Sequence, residues 1–235
     1  MMNPRCITRS TRMPMRSDER LAKRIAIEIL SRYQVKSILD IGCGDGIVSE
    51  YLPQDTVYLG LDITSACIYQ QKHDNPKVRY VQPDAIPDLV DREGLWDMIL
   101  LFDVLEHTRE FTKLFEVALK SSKQYVVVSL PNELFILDRV RMLLGRELNA
   151  HSLDLLAQPE GFKHQYIVNL NKAKKILSKV AHEYGFNLHE EVVRPLKSKN
   201  IIFQPIVSLI SRVSSDQLWS QGSIFIFQKH SETSQ

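Results

Sequence analysis

The sequence predicts an α/β fold built on a mostly parallel sheet, and three features carry that expectation. Short apolar runs recur along the chain; stretches of helical periodicity separate them; and the first run ends in a cluster of glycines. A strand buried on both faces reads as a continuous apolar run rather than an alternation, because crossover helices cover the sheet on either side.

The elements follow in order. Ser17 is placed to cap a helix over 18–33, in which Leu21, Ile25, Ile29 and Leu30 recur at helical spacing. Val35–Ile41 reads as the first strand, Gly46–Leu52 as a short helix and Val57–Asp62 as the second strand. A helix over Ser65–His73 and a third strand at Val78–Gln82 come next. Asp97–Phe102 and Tyr125–Leu130 are the fourth and fifth strands, on either side of a helix at Arg109–Lys120. After Pro131 the pattern loosens. Glu133–Leu144 reads as an amphipathic helix, and 145–165 as a long connection of the kind that usually forms a lid or binding loop. Asn171–Tyr184 is a helix with Asn171 at its cap and Gly185 as its left-handed stop. Leu188–Leu196 and Ser223–Gln228 are the sixth and seventh strands.

Composition sets bounds on what such a fold does. At 235 residues, with 44% hydrophobic and 25% charged, the chain supports one sizeable core of ordinary globular type. The formal net charge of +2 and the absence of a basic stripe argue against a nucleic-acid partner. Cys6, Cys43 and Cys67 are odd in number and form no C-x-x-C pair, which argues against a disulfide framework or a zinc site and fits a reducing compartment. No apolar run reaches the roughly 20 residues of a membrane span, and the N-terminal segment lacks the apolar stretch of a secretory signal; a cytoplasmic location is expected. Residues 1–16 carry Arg5, Arg9, Arg12 and Arg16 with no acid. They read as a flexible solvated arm, an arm for an anionic surface, or a transit segment.

The most informative string is Asp40-Ile41-Gly42-Cys43-Gly44-Asp45-Gly46, a strand that ends in glycines and opens a helix. Glycines let the backbone turn sharply and approach a ligand closely, and the helix start offers unpaired N–H groups to an anion. Asp62 closes the second strand 20 positions beyond Gly42, where an acid is placed to accept both hydroxyls of a ribose. A dinucleotide fingerprint needs glycine at position 47, which is Ile47, and a triphosphate loop needs a lysine that is absent.

Ile38–Gly46 resembles motif I of the class I methyltransferases that use S-adenosylmethionine (SAM), and Gly60–Thr64 resembles their acidic loop after strand two. Gln82-Pro83-Asp84-Ala85 is similar to their loop after strand three, and Trp96–His107, with its Asp103-Val-Leu-Glu106-His107 string, to their motif IV in the small-molecule branch. The four motifs occur in order over about 35–130. The resemblance implies a Rossmann-like seven-stranded sheet, mostly parallel, with strand seven antiparallel beside strand six and helices on both faces. It implies one domain over 17–235, with 145–165 and 197–220 crossing the acceptor side. It also implies that Gly42, Cys43 and Gly44 cradle the methionine part of SAM while Asp40 holds its amino group. By the same resemblance, Asp62 takes the ribose, Ile63 packs on the adenine, Asp84 and Ala85 fix its edge, and Phe102 and Asp103 wall the cleft. No metal is expected.

The acceptor is less legible. SAM carries an activated methyl carbon, so the protein must chiefly orient an acceptor, which supplies roughly 7 kcal/mol or more in favourable systems. A hydroxyl acceptor also needs a base, and histidine suits that task. His107, after strand four, either serves there or packs in the first turn of the next helix; His164, ahead of the 171–184 helix, either faces the acceptor or lies on a surface loop. His73, His151, His182, His189 and His230 read as solvated. Related enzymes that methylate base or glutamine amines carry N-P-P-Y or D-P-P-Y after strand four, and Phe102-Asp103-Val104-Leu105 stands there instead. Ser129–Asn132, Leu143–Arg146 and His164 are arranged similarly to the methionine-biosynthesis W-type methyltransferase-like proteins. The apolar stretch Ile201–Val213, with Trp219, covers the core or forms a lid, a homodimer contact or an acceptor site. The expected activity is methylation of a small molecule, at oxygen ahead of nitrogen or carbon. RNA or protein methylation, and a non-catalytic SAM-binding partner subunit, are the alternatives.

Overall fold

The computed structural model describes residues 30–63, 76–153, 163–195 and 216–230. The expected helices over 18–33 (all but its end) and Ser65–His73, the basic arm and the Ile201–Val213 stretch lie outside the described residues.

Seven strands form one sheet: β1 (Ser37–Ile41), β2 (Val57–Ile63), β3 (Val78–Val81), β4 (Trp96–Phe102), β5 (Ser122–Pro131), β6 (Phe186–Pro195) and β7 (Ser220–Lys229). Their order is β3-β2-β1-β4-β5-β7-β6. The first five run parallel, with Leu39 beside Leu59 and Ile99, and β7 inserts antiparallel between β5 and β6. The expected Rossmann-like architecture is borne out.

The central strands carry apolar residues on both faces along their middles, because both faces are buried. Leu39, Leu61, Ile99, Leu101, Val126, Val128 and Phe227 point into one core, which is closed by α1 (Ile86–Glu93), α2 (Phe111–Ser121) and α4 (Leu170–Glu183). Their neighbours Ile38, Tyr58, Met98, Leu100, Val127, Ile224 and Ile226 point into the opposite core beside Leu30 and Val48. Phe115 of α2 meets Phe227 of β7 edge to face at 5.2 Å, a pairing worth about 1 kcal/mol beyond its buried area.

Three details differ from the sequence expectation. Asn169, not Asn171, caps α4: its side chain accepts the N–H of Lys172 at 3.1 Å, which places the helix start at Leu170. The helix expected from Glu133 begins at Ile136 and is α3 (Ile136–Leu143). Asn132 holds the turn before it, accepting the N–H of Leu134 and donating to the carbonyl of Ser220. Finally, α1 has no counterpart among the expected elements; it follows the turn Pro83–Ala85, and proline in its first turn is compatible with a helix start.

Candidate functional site

Strand order reverses between β1 and β4, and in open α/β sheets the crevice at that point, outside the carboxyl ends of the strands, is where ligands bind. The residues singled out from the sequence converge on this edge in two groups.

The first group surrounds the loop after β1. Gly42 has φ +76°, and a Cβ there would collide with the side chain of Val104, so the loop can pass under the β4 turn only as glycine. Gly44 also has a positive φ, +62°, but no described heavy atom lies within 4 Å of where its Cβ would stand. The Gly42 N–H donates to the carbonyl of Leu61 at 2.7 Å, tying this loop to the end of β2. Asp62 faces it: one carboxylate oxygen accepts the Gly44 N–H at 2.5 Å and the other its neighbour Ile63 N–H at 2.7 Å. Burial raises the Asp62 pKa above the ordinary carboxylate value, against the pull of these two N–H groups. Asp40 is buried and accepts the Tyr58 hydroxyl at 2.7 Å. Tyr80 of β3 donates to the Gly44 carbonyl at 2.8 Å. Cys43 is buried against Gly60, where a Cβ would come within 2.6 Å of its sulfur. Asp84 and Ala85 are exposed at the turn after β3. The open space at Gly44 and the two-acceptor carboxylate opposite form a cradle suited to a small polar ligand carrying hydroxyls.

The second group lies after β4 and β5. Phe102 is half-buried at the end of β4, and Asp103 follows it with φ +51°, an uncommon conformation for a residue with a side chain. Arg194 of β6 holds it there. Its two terminal nitrogens donate to the two Asp103 oxygens at 2.9 and 3.2 Å, and Ser129 donates to the same carboxylate at 2.7 Å. Burial opposes the charge on Asp103, but Arg194 and Ser129 outweigh it and hold its pKa below the usual carboxylate range.

His107 sits in the turn Leu105–His107 and its Nδ1 lies 3.3 Å from the carbonyl of Lys163. Its ring meets that of His164 edge to face, with centroids 4.5 Å apart. Burial, reinforced by His164, lowers the His107 pKa to about 4, so the imidazole is neutral near pH 7. The His164 strap is pinned by backbone hydrogen bonds, His164 N–H to Ala150 and Gln165 N–H to Glu106. His164 Nδ1 lies 3.0 Å from Glu133 Oε1. His151 Nε2 reaches the same oxygen at 2.8 Å, so His151 is part of this cluster and not a solvated residue. Glu133 Oε2 accepts the Val168 N–H at 2.9 Å. Burial would raise the Glu133 pKa, but His164 and Val168 more than offset it and keep the carboxylate charged. Glu106, by contrast, is 0% exposed, and neither of its oxygens has a hydrogen-bond partner among the described residues. Burial, with Asp103 adding to it, pushes its pKa well above the ordinary value.

The structure thus brings all the expected site residues to one edge, Asp84 and Ala85 at its rim. Sequence reasoning missed Glu133, Arg194 and the place of His151. Glu133 stands two positions past β5, where it reads as the first residue of a helix, and no local signal marks it as part of the site.

The comparisons with known proteins agree with this fold. A family model described as "Methyltransferase domain" matches residues 15–191. No curated protein matches the chain in sequence. Among solved structures, magnesium protoporphyrin IX methyltransferase from Synechocystis PCC 6803, with bound SAH, is similar at 15% identity and a TM-score of 0.54, over 91% of this chain and 83% of that one. A SAM-dependent methyltransferase from Archaeoglobus fulgidus is similar at 17% identity and a TM-score of 0.55, over 91% and 95%. The plantazolicin methyltransferase, solved with a desmethyl analogue and SAH, follows at 14% identity and a TM-score of 0.55, over 91% and 88%. At these identities the likeness to solved structures is one of fold.

Proposed function

The chain belongs to the methyltransferase-domain family, and on that premise we propose that it moves the methyl group of SAM to a hydroxyl oxygen of a small molecule. SAM-dependent methyl transfer is the general activity; the acceptor and the oxygen are our reading. The observation that carries the reading is the Glu133–His164 pair beside the neutral His107, on the edge that also bears the glycine loop.

The first group fits SAM. Gly42, Cys43 and Gly44 would hold its methionine part, Asp40 its amino group and Asp62 its ribose. Ile63, Asp84 and Ala85 would take the adenine, with Phe102 and Asp103 walling the cleft. Bound SAM would supply a methyl carbon already activated by a positively charged sulfur.

The second group has two tasks: to align the acceptor oxygen in line with the C–S bond, and to receive its proton as the C–O bond forms and the sulfur leaves as a neutral thioether. A carboxylate beside Nδ1 selects the tautomer in which Nδ1–H donates to Glu133 and Nε2 carries the lone pair. His164 Nε2 then takes the hydroxyl proton, with His107 flanking it. The described parts of the long connection, 145–153 and 163–165, border this group through His151 and His164, and we read 17–235 as one domain.

Labelled SAM incubated with small-molecule extracts, and separately with RNA and protein fractions, tests the acceptor class. Label in the small-molecule fraction is expected; label confined to RNA or protein overturns it. With an acceptor in hand, His164→Ala should lower turnover by about 100-fold or more while leaving SAM affinity unchanged. Unchanged turnover removes His164 from the mechanism.

A further inference from the structure

We propose that Glu106, His107 and His164 bind one divalent transition-metal ion. Two of the three come from the turn Leu105–His107 after β4 and the third from the strap before α4. The Gln165 N–H of that strap donates to the Glu106 carbonyl at 2.7 Å, so the backbone itself brings the segments together. The ligand atoms of the three side chains all lie within 4.8 Å of one another. Opposite ligands of an ion at bond lengths of about 2.0–2.2 Å stand up to roughly 4.4 Å apart, so small side-chain movements close this cluster on one.

The neighbouring acids are accounted for without an ion. Asp103 is held by Arg194 and Ser129, and both oxygens of Glu133 are satisfied by His151, His164 and the Val168 N–H. Glu106 is not. Its carboxyl is completely buried beside the two imidazoles, and neither oxygen has a hydrogen-bond partner among the described residues. A buried carboxyl left without a partner is costly. A cation between Glu106 and the two rings supplies the missing partner.

The histidines are set up as ligands. The Lys163 carbonyl can only accept, so His107 Nδ1 carries the hydrogen at that contact, and the Glu133 carboxylate fixes the same tautomer in His164. Each ring is left with its lone pair on Nε2. Metal-bound imidazoles characteristically donate their other N–H to a carbonyl or a carboxylate, which fixes the orientation of the ring, and here both partners are in place. Two imidazoles and one carboxylate suit Zn²⁺, Fe²⁺ or Mn²⁺ and leave coordination positions open, whereas Ca²⁺ and Mg²⁺ favour oxygen ligands. The lone pair at His164 Nε2 is the one assigned above to the acceptor's proton, so an ion and that proton exclude one another there. Only this last consequence rests on the methyltransferase reading; binding of the ion does not.

The full chain, stripped with chelator, is titrated with Zn²⁺ and, in separate arms, Mn²⁺ and Mg²⁺ by calorimetry. Each variant is checked for folding by circular dichroism, and SAM binding is measured on the same samples. Saturation at one equivalent of Zn²⁺ or Mn²⁺ is expected, weakened at least tenfold by Glu106→Gln and by His107→Ala. Glu133→Gln, which only frees the His164 ring, is expected to weaken it about tenfold, and His151→Ala to leave it unchanged. Should Glu106→Gln fail to fold, His107→Ala, at the half-buried end of the turn, carries the test. The proposal is overturned by the absence of stoichiometric Zn²⁺ or Mn²⁺ binding to the unmutated protein, or by binding of Mg²⁺ alone. Affinity that survives His107→Ala, or that is lost with His151→Ala instead, overturns it as well. A protein that binds SAM but no ion sinks only the metal site; one that binds the ion but not SAM sinks the methyltransferase reading instead.

Discussion

The two groups on the carboxyl edge of the sheet are assembled by different means. Around the glycine loop, one short stretch from Asp40 to Asp62 supplies most of the geometry: two adjacent parallel strands end side by side, and the loop from one is tied to the last turn of the other. Backbone conformation does the shaping there, as at Gly42 beneath Val104. In the second group the shaping falls to ionisable side chains, from β6, from the turns after β4 and β5, and from two loop segments. A backbone-shaped site tolerates change poorly at its glycines, while a side-chain site depends on charges that must find partners. Arg194 does so for Asp103, His151 and His164 do so for Glu133, and Glu106 has no such partner among the described residues.

Substitutions that respect or violate this division sharpen it. The largest effect is expected for Gly42→Ala. A left-handed backbone with a side chain costs roughly 1–2 kcal/mol, and the collision with Val104 adds about 1–3 kcal/mol. A drop of some 2–5 kcal/mol in unfolding free energy by urea titration is therefore expected; a drop under 1 kcal/mol would show that the loop does not depend on its backbone.

Arg194→Met comes next. Removing one partner of a buried pair costs about 3–5 kcal/mol, but Asp103 is 38% exposed at its side chain, so water screens part of the loss. A loss of about 2 kcal/mol is expected, recovered in part by the double variant with Asp103→Asn. No recovery would mean that Arg194 acts through packing alone. Smallest is Gly44→Ala, where only the left-handed backbone is penalised and about 1 kcal/mol is expected. Its larger consequence should be in SAM affinity, because the new methyl group enters the open cradle.

What was legible in the sequence follows the same division. The strands could be read because burial on both faces leaves an unbroken apolar run, and the glycine loop with Asp62 because its parts are close along the chain. The start of α4 was misread by two positions because Asn169 and Asn171 are both good caps, and only the path of the incoming strap selects Asn169. Glu133 looked like the first residue of a helix, since nothing in its neighbourhood shows that Asn132 is anchored across the sheet to Ser220. His151 could not be assigned from periodicity, because its contact with Glu133 depends on how a loop folds back. Arg194 lay in a strand pattern that says which face a side chain takes, not how far it reaches across β7 to Asp103.

The glycine loop and Asp62 are the proposed seat of the methyl donor. Calorimetric titration of the full chain with SAM, beside the Asp62→Ala variant, tests this directly. One equivalent of SAM should bind the unmutated protein. The variant, deprived of the carboxylate proposed to accept from the ribose, should bind about tenfold or more weakly, since a hydrogen bond to a charged group contributes roughly 1.5–3 kcal/mol. No measurable binding by the unmutated protein, or equal affinity in both, would contradict it.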